Sequence, residues 1–219
     1  ITSGLELMRK VLGENDALGL SSPLLLKSDG TKFGKSESGA LWLDATLTSP
    51  YEMYQYFLNA SDSDILNYLK LLTTLERSEI ESLYSEHLLK PEARLAQKKL
   101  AEEVVLFVHG KEALEDALRV TEALFSGDFS KLLESNFTVL ENVLENVKLD
   151  LNTNIVDVLT KAGLAQSNRE AREFIKTGAV TINGNKIMDA EHLSSLEDSM
   201  YNKFLILRRG KKKYALGVL

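Results

Sequence analysis

The chain has 219 residues, 44% of them hydrophobic and 26% charged, with no cysteine. That length suits one large domain or two to three small ones, and the apolar fraction excludes a disordered chain. No apolar run nears the ~18 residues of a membrane span, no leader opens the chain, and disulfides and thiolate sites are excluded, so a soluble cytoplasmic protein is expected. The net charge of −6 is unevenly spread: residues 1–150 hold 15 Lys/Arg against 25 Asp/Glu, whereas residues 151–219 hold 11 against 7. An acidic body with a basic tail points either to polyanion binding at one end or to a solvated run of charge along an edge strand.

The chain starts at Ile1 rather than methionine, so a piece of something longer is the expectation. Thr2-Ser3-Gly4 opens a helix whose Leu5, Met8, Val11 and Leu12 recur at helical spacing up to Gly13. Ser22-Pro23-Leu24-Leu25-Leu26 reads as a buried strand, Asp29-Gly30 as a turn, and the segment to Gly39 as a loop. Leu41-Trp42-Leu43 is a second short strand or a packed anchor.

At Ser49-Pro50-Tyr51-Glu52 the texture changes: a capping serine, a proline at the first helical position and a glutamate three residues after the cap form a capping box. Helical periodicity then runs to about Val147. Ser61-Asp62-Ser63-Asp64 can cap a helix carrying Ile65, Leu69 and Leu72, and Ser78-Glu79-Ile80-Glu81 repeats the box. Pro91 opens a long helix reaching Gly110, and another ends near Gly127. Short connections between such helices predict a compact bundle.

Residues 148–153 read as a linker. Beyond it come a helix at 155–162 stopped by Gly163, and a third capping box at Ser167-Asn168-Arg169-Glu170. Val180-Thr181-Ile182 and Asn185-Lys186-Ile187 flank Asn183-Gly184, a type I′ hairpin signal, and 205–216 gives a further strand pair. Helices followed by short antiparallel strands make a small α+β module.

Two places could carry chemistry. In Asp29-Gly30-Thr31-Lys32-Phe33-Gly34-Lys35-Ser36, glycines allow close backbone approach and two lysines can offset polyphosphate charge, although the Walker spacing is absent and composition alone favours an ordinary polar surface loop. In the tail, Arg169, Arg172 and Lys176 fall at i, i+3 and i+7, so one helix face carries three cations. Arg208, Arg209, Lys211, Lys212 and Lys213 extend that charge, which suits RNA phosphates. Phe174, Ile175 and the Tyr51, Tyr54, Tyr56, Phe57 cluster read as packing residues.

Lys32-Phe33-Gly34-Lys35-Ser36 resembles the KMSKS signature of class I aminoacyl-tRNA synthetases, in the KFGKS form of bacterial tyrosyl-tRNA synthetases. The likeness continues along the chain through Trp42-Leu43-Asp44, Thr48-Ser49-Pro50-Tyr51, Val108-His109-Gly110, Leu124-Phe125-Ser126-Gly127, Ile182-Asn183-Gly184 and Arg208-Arg209-Gly210-Lys211-Lys212. The family's HIGH-type signature and tyrosine pocket would precede Ile1, so the resemblance is to the C-terminal portion. It implies a multi-domain, mainly α chain: residues 1–47 as the edge of a Rossmann-like catalytic domain, 48–147 as a helical anticodon-binding domain, and 148–219 as an alpha-L-type tRNA-binding domain.

The resemblance also implies ATP, tyrosine and tRNA(Tyr) as substrates, with Mg2+ arriving on ATP, no resident metal, and a homodimer formed through the upstream domain. Lys35 and Lys32 would contact ATP, Ser36 would hold the loop, and the backbone at Leu25 would border the adenine. Asp62 and Asp64 sit where the family approaches the anticodon, and helix capping explains these two carboxylates equally well. The rival reading is a non-catalytic RNA-binding protein derived from the synthetase.

Overall fold

The computed structural model describes residues 1–22, 24–28, 30–33 and 40–219. The first helix, α1 (Thr2–Leu12), forms as its periodicity predicts, with Arg9 and Lys10 complementing the dipole in its last turn. None of its residues is buried. The run around Leu25 is not a buried strand: Leu24 is 66% exposed, and ladder pairing is limited to the Leu26–Lys32 bridge. A strand needs a neighbour along its length, and here the backbone contacts of the run join only residues 25–27 to 31–33 in a short local hairpin. Of Leu41-Trp42-Leu43, Leu41 anchors on the bundle while Trp42 and Leu43 are exposed, so the anchor reading holds.

The bundle comprises α2 (Pro50–Leu58), α3 (Asp62–Leu72), α4 (Arg77–Leu89) and the long α5 (Leu95–Ser126). The box opening α2 is complete: the Ser49 N–H donates to Glu52 Oε2 at 2.8 Å and the Glu52 N–H donates to Ser49 Oγ at 3.2 Å. The box of α4 begins two residues earlier than the sequence suggests. Glu76 is the cap, its N–H donating to Glu79 Oε2 at 2.9 Å, and Ser78 lies inside the helix. Pro91 starts a short 3-10 turn, Pro91–Ala93, and the α-helix follows at Leu95. Gly110 interrupts α5 with φ 84° and ψ 177°, so its halves are the two helices the sequence predicts. A left-handed φ of this kind is inexpensive only for glycine. Met53, Phe57, Ile65, Leu69, Leu100, Val105 and Ala117 form the bundle core.

After α6 (Asn136–Val143) the helical pattern stops short of Val147. Glu145–Lys148 is instead the strand β1, pairing in parallel with the last strand. A polar edge strand held by backbone pairing leaves almost no period-2 signal, so periodicity misses it. The supposed linker is ordered too: Leu149 is buried, and the Asn152 N–H donates to the Ser194 carbonyl at 2.8 Å.

The remaining elements are α7 (Ile155–Lys161), α8 (Asn168–Lys176), β2 (Val180–Ile182), β3 (Asn185–Lys186), β4 (Phe204–Arg209) and β5 (Lys213–Val218). They form one five-stranded mixed sheet in the order β1-β5-β4-β2-β3. Asn183 and Gly184 both have positive φ, 47° and 85°, as a type I′ turn requires.

Side chains alternate along β4. Leu205 and Leu207 enter a core with Ile155, Leu159, Ala171 and Ile175 from α7 and α8. Phe204 and Ile206 enter another with Phe137 and Leu140 of α6 and Val120 and Ala123 of α5. Burial on both faces accounts for the unbroken apolar run Phe204-Leu205-Ile206-Leu207. The sheet is tied to the bundle by two phenols: Tyr214 donates to the Leu124 carbonyl and Tyr201 to the Leu132 carbonyl, each at 2.8 Å.

Candidate nucleotide loop and nucleic-acid interface

The described part of the lysine-bearing segment belongs to a tight hairpin seated on the bundle. The Lys27 N–H donates to the Thr31 carbonyl at 2.9 Å, the Gly30 N–H to the Lys27 carbonyl at 2.9 Å, and the Phe33 N–H to the Leu25 carbonyl at 3.1 Å. Leu25 packs against the bundle core, so it anchors the base of the hairpin. The Phe33 ring sits among Tyr56, Phe57 and Tyr68, with centroids at 5.8, 6.0 and 5.2 Å. Edge-on and offset contacts of this kind fix an aromatic ring in position as well as burying it. Lys32 is exposed between these anchors. Lys35 and Ser36 lie outside the described residues.

Asp62 and Asp64 occupy the first turn of α3, where the helix dipole favours carboxylates, yet Ser61 is the cap residue and makes no side-chain cap bond. The two carboxylates have separate tasks. Asp62 Oδ1 accepts from Gln97 Nε2 at 2.6 Å and lies 3.1 Å from Nε2 of His87, which is 1% exposed. Asp64 is 7% exposed; it accepts the Ser28 N–H at 2.5 Å on Oδ1 and the Ser61 hydroxyl at 2.8 Å on Oδ2. Both oxygens of Asp64 are therefore occupied inside the protein.

In the tail, α8 buries Ala171 and Ile175 and exposes Arg169, Arg172 and Lys176. Among the described residues no ion pair engages these three cations. Ser167 Oγ caps the helix by accepting the Glu170 N–H at 3.3 Å. The Glu170 carboxylate accepts from the Gln166 N–H at 2.6 Å, one residue ahead of the box the sequence predicts, and lies 3.8 Å from Arg209. Reaching outward to Gln166 leaves Glu170 close enough to hold that guanidinium.

Within the basic run at 208–213, Arg208 and Arg209 are placed differently from the lysines that follow. Strand alternation sends Arg208 and Arg209 to opposite faces, and both are half-buried. Arg209 lies 4.6 Å from the centre of the Phe174 ring and Arg208 5.5 Å from that of Tyr214. These are packing arginines, desolvated over aromatic faces. Lys211 and Lys212 are exposed on the turn, and Lys213 is exposed at the start of β5. Lys212 and Lys213 share a cleft with Lys161 at the end of α7, a residue whose isolated position in the sequence gave no hint of this company. In α5, burial pushes the pKa of His109 below the usual histidine value.

A family model described as tRNA synthetases class I (W and Y) matches residues 1–126, more than half of the 219. The chain belongs to that family. A second model, described as Tyrosine--tRNA ligase SYY-like C-terminal domain, matches residues 133–217. The tyrosine–tRNA ligase of Staphylococcus haemolyticus (strain JCSC1435) is 50% identical over 217 residues, which is 98% of this chain and 51% of that protein. The tyrosine–tRNA ligase of Staphylococcus saprophyticus is 48% identical over 215 residues, again 98% of this chain and 51% of the relative. This synthetase chain thus spans about half the length of the curated relatives it matches. A solved structure described as the solution structure of a tyrosyl-tRNA synthetase C-terminal domain is 34% identical, with TM-score 0.35 over 44% of this chain and 98% of that one. Among the described residues, no helix of the synthetase chain is long and apolar enough to cross a membrane.

Proposed function

We propose that this chain is the part of a tyrosine–tRNA ligase that supplies the ATP-contacting lysine loop and the tRNA-binding surface. Identity of 50% along 98% of the chain to a tyrosine–tRNA ligase carries this reading, because it includes both the loop and the tail. In the reaction, the tyrosine carboxylate attacks the α-phosphorus of ATP and pyrophosphate leaves; a hydroxyl at the tRNA 3′ end then takes the tyrosyl group and AMP leaves. No side-chain nucleophile is needed. Catalysis is positioning plus stabilisation of phosphate charge.

Lys35 stabilises the charge that develops on the leaving pyrophosphate, Lys32 assists from the hairpin, and Ser36 holds the loop by its hydroxyl. The backbone at Leu25 borders the adenine, and Mg2+ arrives with ATP. Residues 1–47 form the edge of the Rossmann-like catalytic domain, and 48–147 approach the anticodon, with Asp62 the better-placed carboxylate because Asp64 is internally bonded. Residues 148–219 hold tRNA phosphates through Arg169, Arg172, Lys176 and the exposed lysines at 211–213. The complete enzyme is a cytoplasmic homodimer joined through the upstream domain.

Tyrosine-dependent ATP–pyrophosphate exchange tests the division of labour. The 219-residue chain alone is expected to show none, because the HIGH-type signature is not among its residues. Exchange is expected once the chain is joined to the upstream half of a tyrosine–tRNA ligase. Exchange by the isolated chain would place the tyrosine pocket within these residues and overturn the assignment.

A further inference from the structure

The first turn of α3 is gripped from the start of α5. Gln97, in the first turn of α5, is fully buried, and its Nε2 donates to Asp62 Oδ1 at 2.6 Å. Arg94, just ahead of that helix at φ 52°, donates from Nη2 to the Ala60 carbonyl at 3.1 Å. His87 brings Nε2 to 3.1 Å from the same Asp62 oxygen. These contacts leave Gln97 Oε1, Arg94 Nε and His87 Nδ1 buried with no hydrogen-bond partner among the described residues. A buried amide with half its capacity unmet costs stability, and an apolar side chain of similar size would avoid that cost. Yet what Gln97 holds is not core. The Asp62 side chain is 64% exposed, and its Oδ2 makes no hydrogen bond to the described residues. The helix dipole favours a carboxylate in this turn whatever its rotamer, so stability alone needs no such support. An exposed carboxylate in water turns freely; with Oδ1 bonded to a buried amide, Asp62 keeps one orientation.

We propose that Gln97 is a positioning residue for RNA recognition: it fixes the Asp62 carboxylate so that Oδ2 accepts a hydrogen bond from the N–H edge of one anticodon base. This rests on the reading of residues 48–147 as the part that approaches the anticodon, with Asp62 as its contact. An ionised carboxylate only accepts, so it selects a base edge that presents N–H and rejects one that presents a carbonyl or a bare ring nitrogen. Unstacked single-stranded bases are read in this way, on their hydrogen-bonding edges. An acceptor oriented in advance discriminates better than a mobile one, because a misplaced donor is not accommodated and less side-chain entropy is lost on binding.

The test titrates tRNA(Tyr), and transcripts of it altered singly at each anticodon base, into the 219-residue chain and its variants. The readout is the ratio of affinities for native and altered transcripts, because partial unfolding weakens binding to all of them alike. Asp62→Asn is expected to lower that ratio at one anticodon position by roughly 10–100-fold, the scale of a lost hydrogen bond to a charged group. Gln97→Met keeps the length of the side chain and removes the donor. It is expected to lower the ratio at the same position by about 3–10-fold, as orientation is lost while the carboxylate remains. Gln97→Asn, whose amide is one methylene short of Asp62, is expected to do the same. Wild-type ratios at every position in Asp62→Asn overturn the anticodon reading and the proposal with it. A deficient Asp62→Asn beside wild-type ratios in both Gln97 variants overturns the positioning role alone. Equal loss of affinity for every transcript in the Gln97 variants marks a glutamine that serves only the fold, and overturns that role too.

Discussion

Replacing Lys35 with alanine in the joined polypeptide is expected to slow tyrosyl-adenylate formation by ~10²–10³, with tyrosine affinity nearly unchanged. The asymmetry follows from where the charge develops. The pyrophosphate acquires its extra charge only as its bond to the α-phosphorus breaks, after tyrosine is already bound. An ammonium group directed at that charge contributes to the transition state and little to tyrosine binding. Lys32→Ala is expected to have the smaller effect, in keeping with the assisting role proposed for Lys32. Pre-steady-state rates of adenylate formation, with tyrosine dissociation constants from the same traces, check both. A Lys35→Ala enzyme with wild-type rates would make the segment an ordinary polar loop.

The second large effect concerns stability. Phe137 is fully buried, stacks on Phe204 with centroids 4.3 Å apart and rings 13° from parallel, and meets Tyr201 edge-on at 5.8 Å. It stands where α6, the end of α5 and one face of the sheet converge. Phe137→Ala removes that ring and opens a cavity, so a loss of ~3–5 kcal/mol is expected. Urea titration of the isolated chain, followed by near-UV circular dichroism, reads it out. A loss below ~1 kcal/mol would mean that α6 does not seat on the sheet as described.

What the sequence could reveal depended on how local each signal is. Capping boxes, the Asn183-Gly184 turn and the 3.6-residue periodicity are decided within a few residues, and α2, α3, α7, α8 and the β2–β3 hairpin stand where those signals put them. The lysine motif was equally visible, because glycine, lysine and hydroxyl residues sit together in sequence. Long-range pairing was not legible. The strand β1 is polar and owes its existence to the backbone of β5, some 70 residues away in sequence. The apolar run at 24–26 failed in the opposite sense, having the composition of a buried strand but pairing only within a short local hairpin. Arg208 and Arg209 looked like part of one cationic run, yet strand alternation places each over a different aromatic ring. The Asp64–Ser28 bond spans 36 residues and has no sequence signature at all.

That division of the cations decides how tRNA binding is best tested. Substituting Arg208 and Arg209 would disturb packing as well as charge, so loss of binding in those variants could not be assigned to phosphate contact. Arg169, Arg172 and Lys176 are exposed on one face of α8 and leave its buried face untouched. The decisive measurement titrates tRNA(Tyr) into the wild-type chain and into the triple alanine variant at these positions, at several salt concentrations. Each phosphate contact contributes ~0.7–0.9 to the slope of log K against log salt, so the variant's slope should be shallower by about 2–3. Affinity for other tRNAs should fall in parallel, because phosphate contacts position without reading sequence. Equal slopes for the two proteins would make the α8 face a solvated helix surface and contradict its role in holding tRNA.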